Sequence, residues 1–307
     1  IQDADTAMRG DVIRALIELI TNADDAYDGK GGLIEIVVSK LDGDFKYLVS
    51  VHDKASGLNA SRMEEAFTQL GDTNKKAIAN LGTRGLFGRG AKDVSILGKA
   101  VFASIHQGLY SEIEITSDMK WRMPFEDHKP NVKNFEYTNL KAQESGLTSH
   151  LYIAPFVNMP RISKIIEKLQ SHVQLRDLMN RNDVFLTDKV GNSRKKLIGI
   201  QPEGEIVIDE ILSVPNYSQK IHLQVLKFKE KQTGLISEYS KHGLVISGKG
   251  AAYENSFLTF QNRPEAGWFC GRIEAPEIHD LAKEFDDPER DLKKNPSRIV
   301  SRDRSGL

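Results

Sequence analysis

The sequence predicts an α+β protein, and three observations carry that prediction. An apolar pattern with helical period covers the start of the chain, where we expect a helix over 3–28. Runs in which apolar and polar residues alternate follow it, and the first two are joined by the hairpin signal Asp42-Gly43. In the second half of the chain several strand-like runs precede another helical stretch, which is the mixed order of an α+β domain.

Two domains are expected, because 307 residues are enough for each domain to bury its own core. Pro155 and Pro160 mark the boundary, which divides the chain into residues 1–155 and 156–307. The chain begins without Met, so we expect a fragment of a longer protein whose second domain is incomplete at its C-terminal end.

The first domain is predicted to form a mixed sheet with helices on one face. Its expected strands are 33–41, 46–53, 99–107, 110–117 and 147–154, and its further helices are 60–69 and 90–98. The polar, glycine-rich stretch 70–90 suits a mobile lid, and 122–145 is expected to be an irregular insertion. In the second domain, a helix that begins at Ile162 and a further short helix precede strands at 205–212, 221–228, 243–247 and 267–273 and a helix near 276–285.

Composition and charge narrow the functional classes. The formal net charge is −1, so the surface as a whole is not predicted to be a nucleic-acid footprint. Cys270 is the single cysteine, which excludes an internal disulfide and a multi-cysteine zinc site. No apolar run could cross a membrane and no signal-peptide pattern is present. We therefore expect a cytoplasmic protein, or a nuclear one in a eukaryote, with no membrane partner.

The segment from Glu18 to Asp25 places polar groups along one side of the first helix. Glu18 and Asn22 are four residues apart and Asn22 and Asp25 are three apart, so their side chains share one helical face. An Asn amide oxygen can coordinate Mg²⁺, and a nearby Glu that binds no metal can accept a proton from water. Taken alone, a solvated helix face is the alternative interpretation.

A second candidate is Asp53, which the alternating run Leu48–Val51 delivers into a turn of small residues that ends at Gly57. An Asp at the end of a strand, with small neighbours, can accept a hydrogen bond from an exocyclic amine in a tight pocket. An ordinary turn Asp is the alternative.

A third candidate is a glycine-rich loop before a stretch that is expected to be helical. Its four glycines are Gly82, Gly85, Gly88 and Gly90. Backbone N–H groups in such a loop can approach an anion, and the helix start that follows adds a partial positive charge. The spacing fits neither the P-loop nor the dinucleotide fingerprint, so a flexible surface turn is the alternative for this loop alone.

Together, in order and spacing, these three segments resemble the GHKL ATPases. This superfamily includes gyrase B, MutL, the ninety-kilodalton heat-shock chaperones, histidine kinases and the Microrchidia (MORC) proteins. The resemblance covers roughly residues 10–155 and implies a two-layer Bergerat-type ATP-binding domain with ATP and Mg²⁺ as ligands. It also implies an α+β transducer-like second domain, which most resembles the MORC version.

The resemblance implies a role for each matching residue. Glu18 would be the general base that activates water, and Asn22 would hold Mg²⁺. Asp53 would bind the adenine amine, and Gly57 would make room for the ring. The other implied nucleotide-binding residues are Asp25, Gly85, Gly88, Arg89, Gly90 and Lys92.

Two further residues would complete the implied site, and one position departs from the family pattern. Thr148 is expected to bond near the adenine, although strand phase decides between Thr148 and Ser149. Lys249 is the candidate lysine that reaches the γ-phosphate, with the basic segment beginning at Ser301 as the alternative. Ala55 replaces the first glycine of the D-x-G-x-G turn, which is expected either to crowd the ring or to shift the turn.

The expected activity is slow, Mg²⁺-dependent ATP hydrolysis that drives a conformational cycle. ATP would draw two copies into a homodimeric clamp on DNA or on a protein client. The alternatives are a non-catalytic nucleotide-sensing scaffold, the catalytic region of a protein-histidine kinase, and a nucleic-acid-binding module with incidental ATP binding.

Overall fold

Helices and strands are mixed in the first part of the chain and strands dominate the second, so the predicted α+β class is confirmed. The computed structural model describes residues 11–68, 93–213, 218–248 and 251–278. The chain divides into two units, Ile1–Ile200 and Gln201–Leu307. Among the described residues, no helix combines the length and the apolar character that a membrane span requires.

The first unit is built around one mixed sheet. Its described helices are α1 (Val12–Asp25), α2 (Ala60–Thr68), α3 (Val132–Thr138), α4 (Ile162–Ser171) and α5 (Val173–Arg181). Its strands are β1 (Leu33–Lys40), β2 (Tyr47–Asp53), β3 (Gly98–His106), β4 (Leu109–Thr116), β5 (Trp121–His128), β6 (Gly146–Ile153), β7 (Asp183–Asp188) and β8 (Ser193–Leu197). Their order is β5-β4-β3-β6-β2-β1-β7-β8, with β1 and β7 parallel.

The first helix forms where the sequence predicts it, within the described residues. Asp11 caps α1, since its side chain accepts a hydrogen bond from Ile13 N at 2.8 Å. The apolar positions of α1, such as Leu16 and Ile20, are buried against one face of the sheet, where Ile36 and Val51 belong to the same core. The polar positions of α1 other than the buried Asp24 therefore lie on its outer side.

Helices cover both faces of this sheet, whereas the sequence predicts helices on one face. α3 packs on the face opposite α1, where buried side chains meet its last two carbonyl groups. His150 Nε2 is 3.0 Å from Tyr137 O, and Thr148 Oγ1 donates to Thr138 O at 2.8 Å. Unpaired carbonyls at the end of a helix need such donors, so the contacts hold α3 on the sheet.

The segment 122–145, predicted to be irregular, contains most of β5 and all of α3. β5 is an edge strand whose pairing with β4 shifts register twice, so its sequence lacks a clean alternation. α3 is too short to produce a helical period. Its start is nevertheless marked by a capping box, in which Asn131 and Asn134 bond to each other's backbone N–H groups.

The boundary between the units lies after Ile200 rather than after residue 155. β7 pairs with β1 from Leu33–Asp183 to Val38–Asp188, so residues beyond Pro155 extend the first sheet. α4 and α5 also place apolar side chains in the first core. Pro155 and Pro160 change the composition locally and can be seen in the sequence. The pairing of β7 with β1 joins segments that are far apart in the chain, so no local sequence pattern predicts it.

Two other differences lie in the first unit. β7 and β8 are strands that the sequence does not predict, and the second difference lies at the predicted helix 90–98. Its described part is a 3₁₀ turn over Val94–Leu97 that leads directly into β3. The other predicted strands and helices of this unit agree with the structure to within a few residues at their ends.

The second unit contains a five-stranded sheet. Its strands are β9 (Glu205–Leu212), β10 (Ile221–Lys227), β11 (Gly243–Gly248), β12 (Ala251–Ser256) and β13 (Phe269–Glu274), in the order β12-β11-β13-β10-β9. The four predicted strands are confirmed, and β12 is additional. The helix predicted near 276–285 lies mostly outside the described residues.

Two histidines on the α3 face of the first sheet are buried and neutral. Thr148 gives its hydroxyl proton to an α3 carbonyl, so His52 Nδ1, 2.9 Å from Thr148 Oγ1, carries a proton and donates it to that oxygen. His150 donates from Nε2 to the other carbonyl, and its Nδ1 accepts from Ser50 Oγ at 2.8 Å. Burial lowers the pKa of His52 to about 4 and the pKa of His150 to about 3.

These histidines make the first unit sensitive to acid. Because folding lowers the pKa of His52 from 6.5 to about 4, its contribution to stability is complete above pH 6.5 and is lost as the pH falls toward 4. In urea unfolding of the wild type, we expect His52 to account for about 2 kcal/mol of lost unfolding free energy between pH 6.5 and 5.

The variant His52→Gln should lose less stability than the wild type over this pH interval. Ser117→Ala, at an exposed position without a titratable group, is the control and should keep the wild-type pH dependence. An unchanged pH dependence in His52→Gln would contradict the assignment.

Candidate functional site

The polar stripe on α1 lies where the sequence predicts it. Asn22 is exposed, and Glu18 and Asp25 are partly exposed, whereas most other positions of α1 are buried. Within the described residues, neither the Glu18 carboxylate nor the Asn22 amide makes a hydrogen bond to the protein.

Charges of both signs act on the Glu18 carboxylate. Burial raises the pKa of Glu18 most, the charge of Asp93 raises it further, and the charge of Arg14 lowers it. Asp93 is buried just before the 3₁₀ turn, with a relative exposure of 8%. A carboxylate with a raised pKa is a stronger base than an ordinary surface Glu, as proton abstraction requires.

Asp53 ends β2 as a buried carboxylate with only one oxygen engaged. Its Oδ1 accepts from Ala55 N at 3.0 Å and from Leu147 N at 3.3 Å. Its other oxygen makes no hydrogen bond with any described residue. Burial raises the pKa of Asp53 to about 7, although the two backbone N–H groups oppose this shift. A carboxylate oxygen that no described residue engages can accept an N–H group of a ligand.

α1 and Asp53 belong to the same layer of the first unit. Side chains alternate along β2, so Asp53 lies on the same face as Val51 and Val49. Those two valines share their core with α1. α1 therefore covers the sheet face on which Asp53 lies.

Tyr27 connects the end of α1 to the Asp53 turn, and sequence reasoning missed it. Its hydroxyl donates to Leu33 O at 2.6 Å and accepts from Lys54 N at 2.7 Å. Burial raises the pKa of Tyr27 to about 12, and the charge of Asp53 contributes to this shift. Both hydrogen-bond partners are backbone groups that only the folded chain brings together, so no sequence signal was present.

The conformation and packing of the same turn account for the residue types at positions 55 and 57, which are Ala55 and Gly57. Ala55 has no positive φ, so this position tolerates a side chain and does not require glycine. Gly57 has a φ of +66°, and a Cβ there would lie 2.3 Å from Ile105 O and 2.9 Å from Gly146 O. Close packing of the turn on β3 and β6 is therefore sufficient reason for Gly57, apart from any need to make room for a ligand.

The position predicted for Thr148 is wrong. Thr148 pairs with His52 across β2 and β6, and their side chains meet on the α3 face, opposite Asp53. Ser149 pairs with Val51 and lies on the Asp53 face, with 6% relative exposure. Strand phase thus selects the alternative residue, because neighbouring side chains point to opposite faces.

Asp24 is a further residue that sequence reasoning missed. Its carboxylate is 1% exposed and accepts from Arg181 Nε at 3.0 Å and from Asn182 Nδ2 at 2.6 Å. Arg181 Nη2 also contacts its second oxygen. Asp24 therefore anchors α1 to the end of α5, whereas its neighbour Asp25 lies on the stripe.

Six of the predicted site residues lie outside the described residues. They are Gly85, Gly88, Arg89, Gly90, Lys92 and Lys249. Their roles stay predictions.

A metal at this site would depend on few protein ligands. In the ranges that the structure describes, no group of three or more His, Cys, Asp or Glu side chains could hold a metal ion. Mg²⁺ is commonly bound by one or two protein oxygens together with phosphate oxygens and water. The exposed amide of Asn22 fits that ligand set.

Comparison with known proteins identifies no family for this chain. No protein-family model matches it, and no curated protein sequence matches it either. The functional assignment therefore rests on the carboxylates of Glu18 and Asp53, the amide of Asn22 and the face that they share.

The raised pKa of Asp53 predicts that this residue reduces stability in the absence of a ligand. An acid whose pKa rises on folding favours the folded state below its unfolded pKa of 3.8 and loses that contribution as the pH passes about 7. Asp53→Asn, whose amide oxygen can still accept both turn hydrogen bonds, should therefore raise the unfolding free energy at pH 8 by roughly 1–3 kcal/mol. The gain should shrink as the pH falls to 5, in urea unfolding.

Asp188→Asn is the matched control, because Asp188 also ends a strand and its Oδ1 accepts from Val190 N at 2.9 Å. This control should show no comparable gain at pH 8. An equal gain in both variants would point to a general effect of turn amides and against a special environment at Asp53.

Proposed function

We propose that the chain binds ATP with Mg²⁺ in a Bergerat-type site of the GHKL kind and hydrolyses it slowly. The observation that carries the proposal is the carboxylate of Asp53, which is buried and has one oxygen without a hydrogen bond among the described residues. It lies on the sheet face that α1 covers, and α1 carries Glu18 and Asn22 on its outer side.

The base of the nucleotide would lie at Asp53. The unused carboxylate oxygen would accept a hydrogen bond from the adenine amine, which requires the ionised form of Asp53. Because its pKa is about 7, this form predominates only above neutral pH until a ligand stabilises it. Ser149, on the same face, offers a hydroxyl that could pair with another edge of the base.

The phosphates would extend along the polar side of α1. Bound Mg²⁺ supplies charge neutralisation at the triphosphate. Asn22 would provide the protein oxygen that holds the ion. Glu18, four residues earlier on the same stripe, would orient a water molecule and accept its proton. The nearby charge of Asp93 supports this role, because it raises the pKa of Glu18.

Hydrolysis would drive a cycle of association and release. ATP would favour a closed homodimer, as in the clamp-forming ATPases that the sequence resembles, and hydrolysis would reopen it. The second unit would serve as the transducer-like domain, and DNA or a protein would be the client. Turnover is expected to be slow, because loop closure and dimerisation must assemble the site before reaction.

Removal of the proposed base should separate binding from hydrolysis. Glu18→Gln keeps the size of the side chain but cannot accept the proton, so we expect phosphate release to fall at least roughly 100-fold. The affinity for ATP should change little. Both quantities are measured by a phosphate-release assay and by calorimetry with Mg²⁺.

Glu136→Gln, an exposed position on α3, is the control and should keep wild-type phosphate release. If the wild type binds ATP but Glu18→Gln releases phosphate at the same rate, Glu18 is not the base. If the wild type binds ATP and releases none, the chain is a nucleotide sensor.

Removal of the proposed Mg²⁺ ligand should abolish nucleotide-dependent dimerisation. With a non-hydrolysable ATP analogue and Mg²⁺, we expect the wild type to double in mass by light scattering and Asn22→Ala to stay monomeric. Lys164→Ala, on the exposed side of α4, should behave as the wild type. Dimerisation of Asn22→Ala at the same analogue concentration would contradict the role of Asn22.

A further inference from the structure

Arg14 lies one helical turn before the polar stripe of Glu18, Asn22 and Asp25 on α1. It is four residues before Glu18, so the two side chains are neighbours on the same helical face. Arg14 is partly exposed and is the only cation within α1. The stripe therefore runs from a guanidinium through a carboxylate to the amide of Asn22.

The surroundings of Arg14 are supplied by the junction of α4 and α5. α1 packs against both helices, and His172, between them, caps α5 by accepting from Gln174 N at 3.4 Å. Burial lowers the pKa of His172 most, followed by the charges of Arg176, Arg14 and Lys168. The charge of Arg14 lowers the pKa of both Glu18 and His172.

The stripe has a direction relative to Asp53. The backbone N–H of Lys54, which follows Asp53, donates to the Tyr27 hydroxyl at 2.7 Å, and Tyr27 lies just beyond the C-terminal end of α1. From Asp25 back to Arg14, the helix axis advances roughly 16 Å. A nucleotide with its base at Asp53 and its metal at Asn22 would therefore direct its last phosphate toward Glu18 and Arg14.

We propose that Arg14 binds the terminal phosphate and lets the site distinguish a nucleoside triphosphate from a diphosphate. A guanidinium matches two phosphate oxygens with parallel N–H groups, which an ammonium group cannot do. This inference rests on the proposed function and adds a specificity residue to it. It also implies that α4 and α5, which lie beyond the predicted first domain, are close to the proposed nucleotide site.

The test compares the affinities for ADP and for a non-hydrolysable ATP analogue, each with Mg²⁺, by calorimetry. In Arg14→Ala and Arg14→Gln, we expect the affinity for the ATP analogue to fall roughly tenfold or more, because a charge-assisted hydrogen bond is lost. The affinity for ADP should change less than roughly twofold, since ADP lacks the phosphate concerned. Arg14→Lys should give an intermediate loss.

The control is Lys164→Ala, which removes a cation from α4 where Lys164 Nζ pairs with Glu167 at 2.9 Å. It should not change the ratio of the two affinities. Arg14→Gln keeps the side-chain length if Arg14→Ala fails to fold, and circular dichroism checks both variants.

The outcomes separate this inference from the proposed function. Suppose that the wild type binds both nucleotides. If the Arg14 variants keep the wild-type affinity for both, or lose affinity for both equally, Arg14 has no contact with the terminal phosphate. If the wild type binds the ATP analogue no more tightly than ADP, Arg14 likewise has no contact with the terminal phosphate. If the wild type binds neither nucleotide, the proposed function itself is wrong.

Discussion

The buried carboxylate of Asp24 sets the rotation of α1, and the candidate site depends on that rotation. Asp24 is almost fully buried and is held by Arg181 and Asn182 at the end of α5. Loss of Arg181 would leave the buried Asp24 carboxylate without its cation, which is destabilising. Adjacent residues differ by about 100° around a helix, so Asp24 turned inward places Asp25, Asn22 and Glu18 toward the outside.

Both faces of the first sheet bury polar groups, and on the α3 side the Nδ1 atom of His128 has no hydrogen-bond partner among the described residues. On the α3 face, His52, His150 and Thr148 are buried, and each has a hydrogen-bond partner. On the α1 face, Asp53 keeps an unused oxygen, and Glu18 has no hydrogen bond among the described residues. Satisfied buried groups contribute to the uniqueness of a core, whereas unsatisfied ones reduce stability unless a ligand completes them. The unused oxygen of Asp53 supports the proposal that a ligand binds on the α1 face.

The segment beyond Pro155 is part of the first unit and contacts its central helix twice. β7 extends the sheet beside β1, and α5 ends at the arginine that holds Asp24. At the other end of α1, the charge of Arg14 acts on His172, between α4 and α5. Residues 162–182 therefore lie against both ends of the helix that carries the proposed base and metal ligand, immediately before the chain enters the second unit.

The sequence by itself determined those features that depend on local spacing. The stripe of Glu18, Asn22 and Asp25 follows from helical periodicity, and Asp53 follows from the end of an alternating run. The α+β class and most strands followed for the same reason. The short α3 and the bulged β5 were missed, because neither is long or regular enough to show a period.

Only the tertiary structure decided the choices that depend on distant partners. The pairing of β7 with β1 set the boundary of the first unit, and the phase of β6 against β2 placed Thr148 on the α3 face and Ser149 on the Asp53 face. Tyr27, Asp24 and Arg181 gained their roles in the same way. Each depends on a contact between segments far apart in the chain, and the free energy of such a contact exists only after folding has brought the two segments together.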